Sequence, residues 1–276
     1  MIISVELLFV GNELLNGKII NTNAQFLCEK ITNIGAQVRR IITIPDDVDI
    51  ISDTIKYILK SKPDFLIISG GLGPTFDDMT LKGVVKALGK EFELKLNQDA
   101  LDMIEKQYKL AEKLNILKNK GLNEHKIKMA TIPSNSIPLY NSAGIAPGVH
   151  IKYFDNIEIF CLPGVPKEMQ SIFNSSIKSI IMNKVSQTGL KFSKTGFIVQ
   201  DCVESEIAPF VNQIMSEISN VWIKTQPRLK NGKPWVEVFI TCLDKQEISK
   251  DKVSDAKNRL IKLLESNDKS IKLIDE

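Results

Sequence analysis

The hydrophobic pattern changes period along the chain, and those changes predict its elements. Residues 2–10 form a largely apolar run rich in β-formers and closed by Gly11, which reads as a buried strand. Ala24, Leu27, Cys28, Ile31 and Ile34 then recur at helical spacing behind Asn21-Thr22-Asn23, and Gly35 stops the run. Residues 38–44 are extended and end at Pro45. Ile51, Ile55, Ile58 and Leu59 mark a second helix, and 64–69 is a short apolar strand ending in Gly70-Gly71. Further helices are predicted over 80–89 and 97–114. Residues 115–156 contain Pro133, Pro138, Gly144, Pro147 and Gly148 and read as a long irregular region, of a kind that is usually functional or disordered. A strand at 157–162 follows, and Pro163-Gly164-Val165-Pro166 opens a helix to about residue 182. Strands alternating with amphipathic helices predict an α/β fold, a parallel sheet covered on both faces.

The polar stretch 183–194 (NKVSQTGLKFSK) reads as a linker. Beyond it the pattern predicts a strand at 195–199, a helix at 204–218, strands at 221–225 and 235–242, and a helix at 247–265. The expected organisation is therefore a larger domain, 1–182, and a small α+β domain, 183–276, without internal repeats.

Composition narrows the function classes. The 276 residues carry a net charge of +3, so the total does not demand nucleic acid or a membrane surface. No apolar run approaches the length of a membrane span, and the apolar start lacks a signal peptide's basic and cleavage regions. The four cysteines, Cys28, Cys161, Cys202 and Cys242, form no C-x-x-C pair and read as free thiols in a reducing, cytoplasmic compartment. With only His125 and His150 present, a metal would need carboxylate ligands.

The chemistry concentrates just past predicted strand ends, where open α/β sheets bind ligands. The segment Ser69-Gly70-Gly71-Leu72-Gly73-Pro74-Thr75-Phe76-Asp77-Asp78-Met79-Thr80 joins a buried strand to a helix. Its glycines allow close backbone approach, and a helix start favours anions. It is neither a Walker A loop nor a G-x-G-x-x-G fingerprint. Adjacent Asp77 and Asp78 suggest a divalent cation between carboxylate and phosphate; the alternative is that they cap the helix. Gly11-Asn12-Glu13-Leu14-Leu15-Asn16-Gly17, with Asn21-Thr22-Asn23 behind it, reads as a second ligand loop or as a turn and N-cap. Pro45-Asp46-Asp47 reads as an acidic site loop or a helix cap. Residues 141–148 (NSAGIAPG) and 162–169 (LPGVPKEM) are ligand loops or structural turns; in the second, Lys167 is placed to meet a phosphate.

Taken in order, GNELLNG with NTN, PDD, GGLGPTFDDMT, NSAGIAPG and LPGVPKEM resemble the CinA family in its N-terminal molybdopterin-binding-like domain, over roughly residues 4–180. The remainder is similar to that family's KH-like domain. The resemblance implies a three-layer α/β/α fold shared with MogA, MoaB and gephyrin, functional aspartates at Asp78 and Asp46, and related folds that often self-associate. It implies metal-dependent cleavage of the pyrophosphate of ADP-ribose or a related dinucleotide such as FAD, releasing AMP. Many relatives add a C-terminal nicotinamide-mononucleotide deamidase domain, and deamidase activity is not expected of this chain. It departs from the family's usual pattern at Asn12, Ser142 and Ile145, and at Met129 within Lys128-Met129-Ala130-Thr131-Ile132-Pro133.

On this reading Glu13, Asp46 and Asp78 are catalytic, and Asp77, Asp78 and Glu13 hold Mg²⁺, Mn²⁺ or Co²⁺, with K⁺ a further candidate ion. Gly70, Gly71, Gly73, Thr75 and Gly164 bind phosphate. Asn21, Asn23 and Asn141 bind ribose or base, and Lys128 and Lys167 balance phosphate charge. The expected partner is a nucleotide-like small molecule; a homo-oligomer is compatible with the fold. RNA is disfavoured, since residues 184–276 have nearly balanced charge and no G-x-x-G clamp. Two further readings compete: molybdopterin binding with adenylylation, as in MogA-type proteins, and a non-enzymatic scaffold.

Overall fold

The computed structural model describes residues 2–115, 121–230 and 232–274. The chain divides into two compact units, Met1–Lys184 and Val185–Glu276.

The first unit runs β1 (Ser4–Val10), α1 (Asn12–Leu15), α2 (Thr22–Ile34), β2 (Gln37–Ile44), α3 (Val48–Leu59), β3 (Phe65–Ser69), α4 (Thr80–Leu88), β4 (Leu94–Leu96) and α5 (Gln98–Lys113). It continues with α6 (Glu124–Ala130), β5 (Thr131–Pro133), β6 (Ser136–Leu139), β7 (Gly148–Tyr153), β8 (Ile157–Leu162) and α7 (Pro166–Ile172). One π-helical turn, Phe173–Ile177, leads into α8 (Lys178–Ser186). The main sheet has the order β2-β1-β3-β8-β7-β6. The first four strands are mutually parallel, and β7 runs antiparallel to both of its neighbours, β8 and β6. From β1 the chain winds first to β2 on one side and then to β3 on the other, so the topological switch point lies between β1 and β3.

Every residue of β1 and β3 is buried, as a strand covered on both faces requires. Leu8, Val10, Leu66 and Ile68 share a core with Ile51, Ile55 and Ile58 of α3 and Val84 and Leu88 of α4. The alternate side chains Leu7, Phe9, Phe65 and Ile67 point to the other face, where α2 and α7 bury Leu27, Ile31, Met169 and Ile172. Phe26 meets Phe173 edge-to-face there at 5.8 Å. Helix starts follow the sequence: Asn21 Oδ1 accepts from Ala24 N at 3.0 Å, and Asn97 Oδ1 from Ala100 N at 2.9 Å, satisfying otherwise orphaned amides.

Helices α3 and α4 approach closely at Gly83, where an added Cβ would lie 2.3 Å from Ile51 Cγ2. Gly83→Ala gains about 1 kcal/mol of helix propensity, but overpacking costs about 1–3 kcal/mol. A lower denaturation midpoint is expected; an unchanged or higher one would refute this account of the contact.

Two sequence expectations are corrected. Residues 115–156 are not irregular throughout: the described part holds α6, β5, β6 and the start of the outer hairpin at β7. These elements are too short for periodicity to reveal, and Pro138 sits in β6, an edge strand, where proline is tolerated. Residues 183–194 are not a linker. Helix α8 continues to Ser186, and a strand, β9 (Leu190–Gln200), begins after one short turn. Its polar start is strand because it pairs with β11 along its full length, an override of local propensity by tertiary pairing.

The second unit continues with α9 (Glu204–Glu217), β10 (Val221–Lys230), β11 (Lys233–Lys245), α10 (Gln246–Glu265) and β12 (Ser270–Leu273). Its antiparallel sheet has the order β10-β11-β9-β12. Phe197, Val199, Val238 and Ile240 pack with Ile207, Ile214, Ala256 and Leu260 in its own core.

Candidate active site

The backbones leaving β1, β3 and β8 converge at the switch point. Gly70 N donates to Leu162 O at 3.0 Å. Gly70 has φ of 113°, and a Cβ there would lie 2.0 Å from Val10 O, so only glycine fits against β1. Gly164 abuts the same spot, its Cβ position 3.4 Å from Gly70 Cα. Around this junction opens a cavity of about 750 Å³, of ordinary size for a small-molecule site.

The glycine-rich loop is braced by its own side chains. Thr80 Oγ1, at the start of α4, donates to Gly70 O at 2.7 Å. Asp78 Oδ2 accepts from Thr75 N at 2.8 Å and lies 2.6 Å from Thr75 Oγ1, which is also 2.5 Å from Asp77 Oδ1. The Thr75 hydroxyl has one proton, so it serves one carboxylate at a time. Its hydrogen bond to Asp77 holds that carboxyl below the usual range. Neither aspartate caps α4, whose N-cap, Met79, makes no side-chain capping bond; the capping alternative is thereby removed. Gly73 leaves room for the Asp78 carboxylate, which would sit 2.6 Å from a Cβ there.

The two residues of the acidic turn after β2 divide the readings between them. Asp47 caps α3, its Oδ1 accepting from Asp49 N and Ile50 N at 2.9 Å. Asp46 faces the cavity and accepts from Asn12 N at 2.8 Å. Burial pushes the Asp46 carboxyl up, Asn12 N–H opposes this, and the charges of Glu13, Asp77 and Asp78 add to the rise.

Asn23 Nδ2 donates to Gly164 O at 2.8 Å and to Ser69 Oγ at 3.2 Å. A carbonyl only accepts, so this contact fixes the amide orientation and turns Oδ1 the other way. Asn23 is 6% exposed, and Oδ1 has no hydrogen-bond partner among the described residues. A buried orphan acceptor on a cavity wall calls for a donor from a ligand or water.

The cavity brings together Glu13, Asn21, Asn23, Asp46, Gly70, Gly71, Gly73, Asp77, Asp78 and Gly164 from the sequence assignment. Four assigned residues do not line it. Thr75 serves the aspartates. Asn141 is buried behind the wall and donates to Ala146 O and Glu168 Oε2. Lys128 Nζ donates to the carbonyls of Gly73, Thr75 and Asp78, bracing the loop, and lies 4.0 Å from Asp78 Oδ2; burial pushes its pKa down. Lys167 is exposed, and its neighbour Glu168 lines the cavity instead.

Glu168 was not assigned from sequence. Burial pushes its carboxyl up, against the hydrogen bond from Asn141 Nδ2 at 2.6 Å. Gly144 makes room for it: a Cβ there would lie 2.1 Å from Glu168 Cδ. Leu72, Tyr108, Met129 and Ile145 give the cavity a separate apolar side.

A family model described as "Probable molybdopterin binding domain" matches residues 6–183. The chain belongs to the molybdopterin-binding-domain family. Relatives extend over both units: a protein from Sulfolobus acidocaldarius is 40% identical over 248 residues, 89% of each chain. Protein LS215_2186 from Saccharolobus islandicus is 37% identical over 257 residues, 93% of this chain and 92% of its own. The crystal structure of CinA from Thermoplasma acidophilum, a protein of unknown function, is 39% identical with a TM-score of 0.56. It matches 64% of this chain and 98% of that one. The glycine loop, the acidic turn and the carboxylate-lined cavity thus all lie inside the molybdopterin-binding-like domain.

Proposed function

We propose that the cavity binds the pyrophosphate of ADP-ribose or a related dinucleotide such as FAD and hydrolyses it to release AMP with a divalent cation. One observation carries this reading. Glu13, Asp46, Asp77, Asp78 and Glu168 line the cavity, and among the described residues no Lys, Arg or His does. A phosphate-bearing ligand in such a site needs a cation between it and the carboxylates.

Mg²⁺, Mn²⁺ or Co²⁺ fits this donor set, with Asp77, Asp78 and Glu13 as the pool from which one or two ligands would come. Among the described residues no three His, Cys, Asp or Glu groups converge as a ready-made metal cage. That suits a cation held by one or two carboxylates together with substrate oxygens. When bound, it supplies charge neutralisation on the phosphates and acidifies a coordinated water. The chain's own residues do the rest. The Gly70–Gly73 and Gly164 backbones let the phosphates approach, and Asp46, with its raised pKa, is suited to take a proton from the attacking water. Asn23 Oδ1 accepts from a ribose hydroxyl or base amine, and the apolar side receives a flat ring. No helix among the described residues is long and apolar enough to cross a membrane. We assign the protein to the cytoplasm and read its second unit as a KH-like module with a structural role.

Purified protein is to be incubated with ADP-ribose, FAD and NAD in Mg²⁺, Mn²⁺ or Co²⁺, with AMP measured. Metal-dependent AMP release that a chelator abolishes supports the reading. The cavity's apolar side also suits a pterin, and the family description favours one. Adenylylation of molybdopterin by ATP, with no AMP from any dinucleotide, would replace the hydrolase reading with that one.

Asp46 gives a pH-dependent test. Its native pKa is raised, so folding favours the protonated form. The stability it contributes is present at low pH and is lost as the pH rises through the native value. Asp46→Asn keeps an acceptor for Asn12 N–H and removes the charge. The metal-free variant is expected to melt higher than the parent at neutral pH, with the gap closing in acid, while hydrolysis falls. A lower melting temperature at neutral pH would contradict this.

A further inference from the structure

One carboxylate of the cavity stands apart from the others. Glu13, Asp46, Asp77 and Asp78 follow the ends of β1, β2 and β3, whereas Glu168 lies on the first turn of α7, just beyond Gly164. Its partner is locked in place. Asn141, 2% exposed, donates from Nδ2 to Glu168 Oε2 at 2.6 Å and to Ala146 O at 2.9 Å, and its Oδ1 accepts from Ala143 N at 3.1 Å. Gln107 Nε2 donates to the Asn141 carbonyl at 2.6 Å. Both ends of the Asn141 amide are used, so its orientation is fixed. Gly144 completes the fit, since a Cβ there would lie 2.1 Å from Glu168 Cδ and 2.4 Å from each carboxylate oxygen. Among the described residues only Asn141 donates to this carboxylate, which leaves Oε1 to accept from a ligand. A second acceptor on the same cavity wall, Asn23 Oδ1, is buried and equally in need of a donor.

Resting on the nucleotide reading of the cavity, we propose that Glu168 is its specificity-determining residue: with Asn23 Oδ1 it accepts from the two hydroxyls of a ribose and so restricts the site to ribonucleotides with an unsubstituted diol. A diol offers two donors, and these two groups offer acceptors. In dinucleotide-binding α/β folds an acidic residue takes the same role toward the ribose 2′-hydroxyl. The order along the wall matches the order of a nucleotide. Asn23 is tied to Gly164, where phosphate approaches. Glu168 comes next on α7. Ile145, adjacent to Gly144, belongs to the apolar side that receives a base. The Asn141 amide turns its positive N–H end toward the Glu168 carboxylate, which disfavours a cation there and leaves hydroxyls as the matching ligand. The same carboxylate repels a phosphate carried on either hydroxyl, so it selects against 2′-phosphorylated analogues as well as deoxy ones. Asn141 reaches the ribose only through Glu168 and is a positioning residue.

The test measures binding of AMP, 2′,3′-dideoxy-AMP and adenosine 2′,5′-bisphosphate to the full-length chain in Mn²⁺ by calorimetry, beside AMP release from ADP-ribose. AMP is expected to bind about ten- to a hundredfold more tightly than the dideoxy analogue, the usual worth of hydrogen bonds to a charged group, and the bisphosphate no more tightly than the dideoxy analogue. In Glu168→Gln the gap between AMP and dideoxy-AMP is expected to narrow about tenfold through weaker AMP binding alone, with an unchanged circular-dichroism spectrum. Gly144→Ala is expected to narrow it likewise. That variant leaves Glu168 chemically intact but displaces its carboxylate, and Gly144 is not among the glycines with positive φ, so its backbone accepts alanine. Equal affinity of the parent for AMP and dideoxy-AMP, or a gap unchanged in both variants, would overturn the assignment, even where ADP-ribose is hydrolysed and the hydrolase reading stands. Loss of Mn²⁺-induced thermal stabilisation in Glu168→Gln without nucleotide would make Glu168 a metal ligand and overturn it too. Discrimination through Glu168 with no AMP from ADP-ribose would uphold the assignment and remove the hydrolase reading instead. Binding of none of the three nucleotides would overturn both.

Discussion

Replacing Asp78 by Asn is expected to lower AMP release by about 10²–10³-fold, the usual cost of losing a preorganised electrostatic contact at a reacting centre. The geometry makes this substitution informative. Asp78 Oδ2 accepts from Thr75 N and lies beside Thr75 Oγ1. An asparagine oxygen can take the same bonds, so the loop keeps its shape. What is lost is one negative charge in a cavity whose lining, among the described residues, has no basic side chain to exchange for it. Cation-induced thermal stabilisation is expected to shrink along with the rate. Asp77→Asn separates position from charge, because it removes the same charge from the neighbouring carboxylate, which the Thr75 hydroxyl also contacts. Full activity in Asp78→Asn, with an unaltered circular-dichroism spectrum, would remove Asp78 from the chemistry and leave the pterin reading as the stronger one.

The fold class was legible because strand and helix periods alternate cleanly up to residue 114 and each change is punctuated by Asn, Asp, Gly or Pro. The order of the sheet was not legible, since fully apolar strands such as β3 carry no register or neighbour information. Within the site, the glycine loop announced itself through composition. Which member of each polar pair faces the cavity did not. Asp46 and Asp47 are chemically identical neighbours, and the turn alone decides that one caps α3 and the other meets the cavity. Lys167 and Glu168 sit one residue, and thus about 100°, apart on the first turn of α7; the helix phase turns the glutamate inward. Lys128 belongs to α6, in a region whose structure the pattern concealed, so its three bonds to the glycine loop were hidden with it. Tyr108 recurs at helical spacing on α5 like any core residue, and no sequence signal distinguishes a residue lining a cavity from one that fills a core. The coupling of Gly144 to Glu168 joins two loops that read separately as turns, and only the missing Cβ reveals it.

Gly70→Ala is expected to have the largest effect on stability of any single methyl added to this chain. Two costs coincide there. At φ of 113° the backbone lies where a side chain is strained, typically by about 1–3 kcal/mol. The new Cβ would also lie 2.0 Å from Val10 O. That obstacle is the main chain of β1, held by pairing to β2 and β3, and it cannot rotate away as a side chain does. Overpacking of this kind adds about 1–3 kcal/mol or more, against a total stability of about 5–15 kcal/mol for a typical protein. Relief requires β1 and β3 to part at their C-terminal ends, which is where the cavity opens, so ligand binding is expected to fail before the fold does. Gly17→Ala is the control. Gly17 also has positive φ, 73°, but a Cβ there meets nothing within 4 Å, so only the backbone cost of about 1–2 kcal/mol applies. At about 2–4 °C per kcal/mol for a unit of this size, Gly70→Ala is expected to melt well below both the parent and Gly17→Ala, a comparison that calorimetry of the three proteins decides. Equal losses in the two variants would mean that backbone strain alone sets the cost and that the contact between Gly70 and Val10 contributes nothing to closing the switch point.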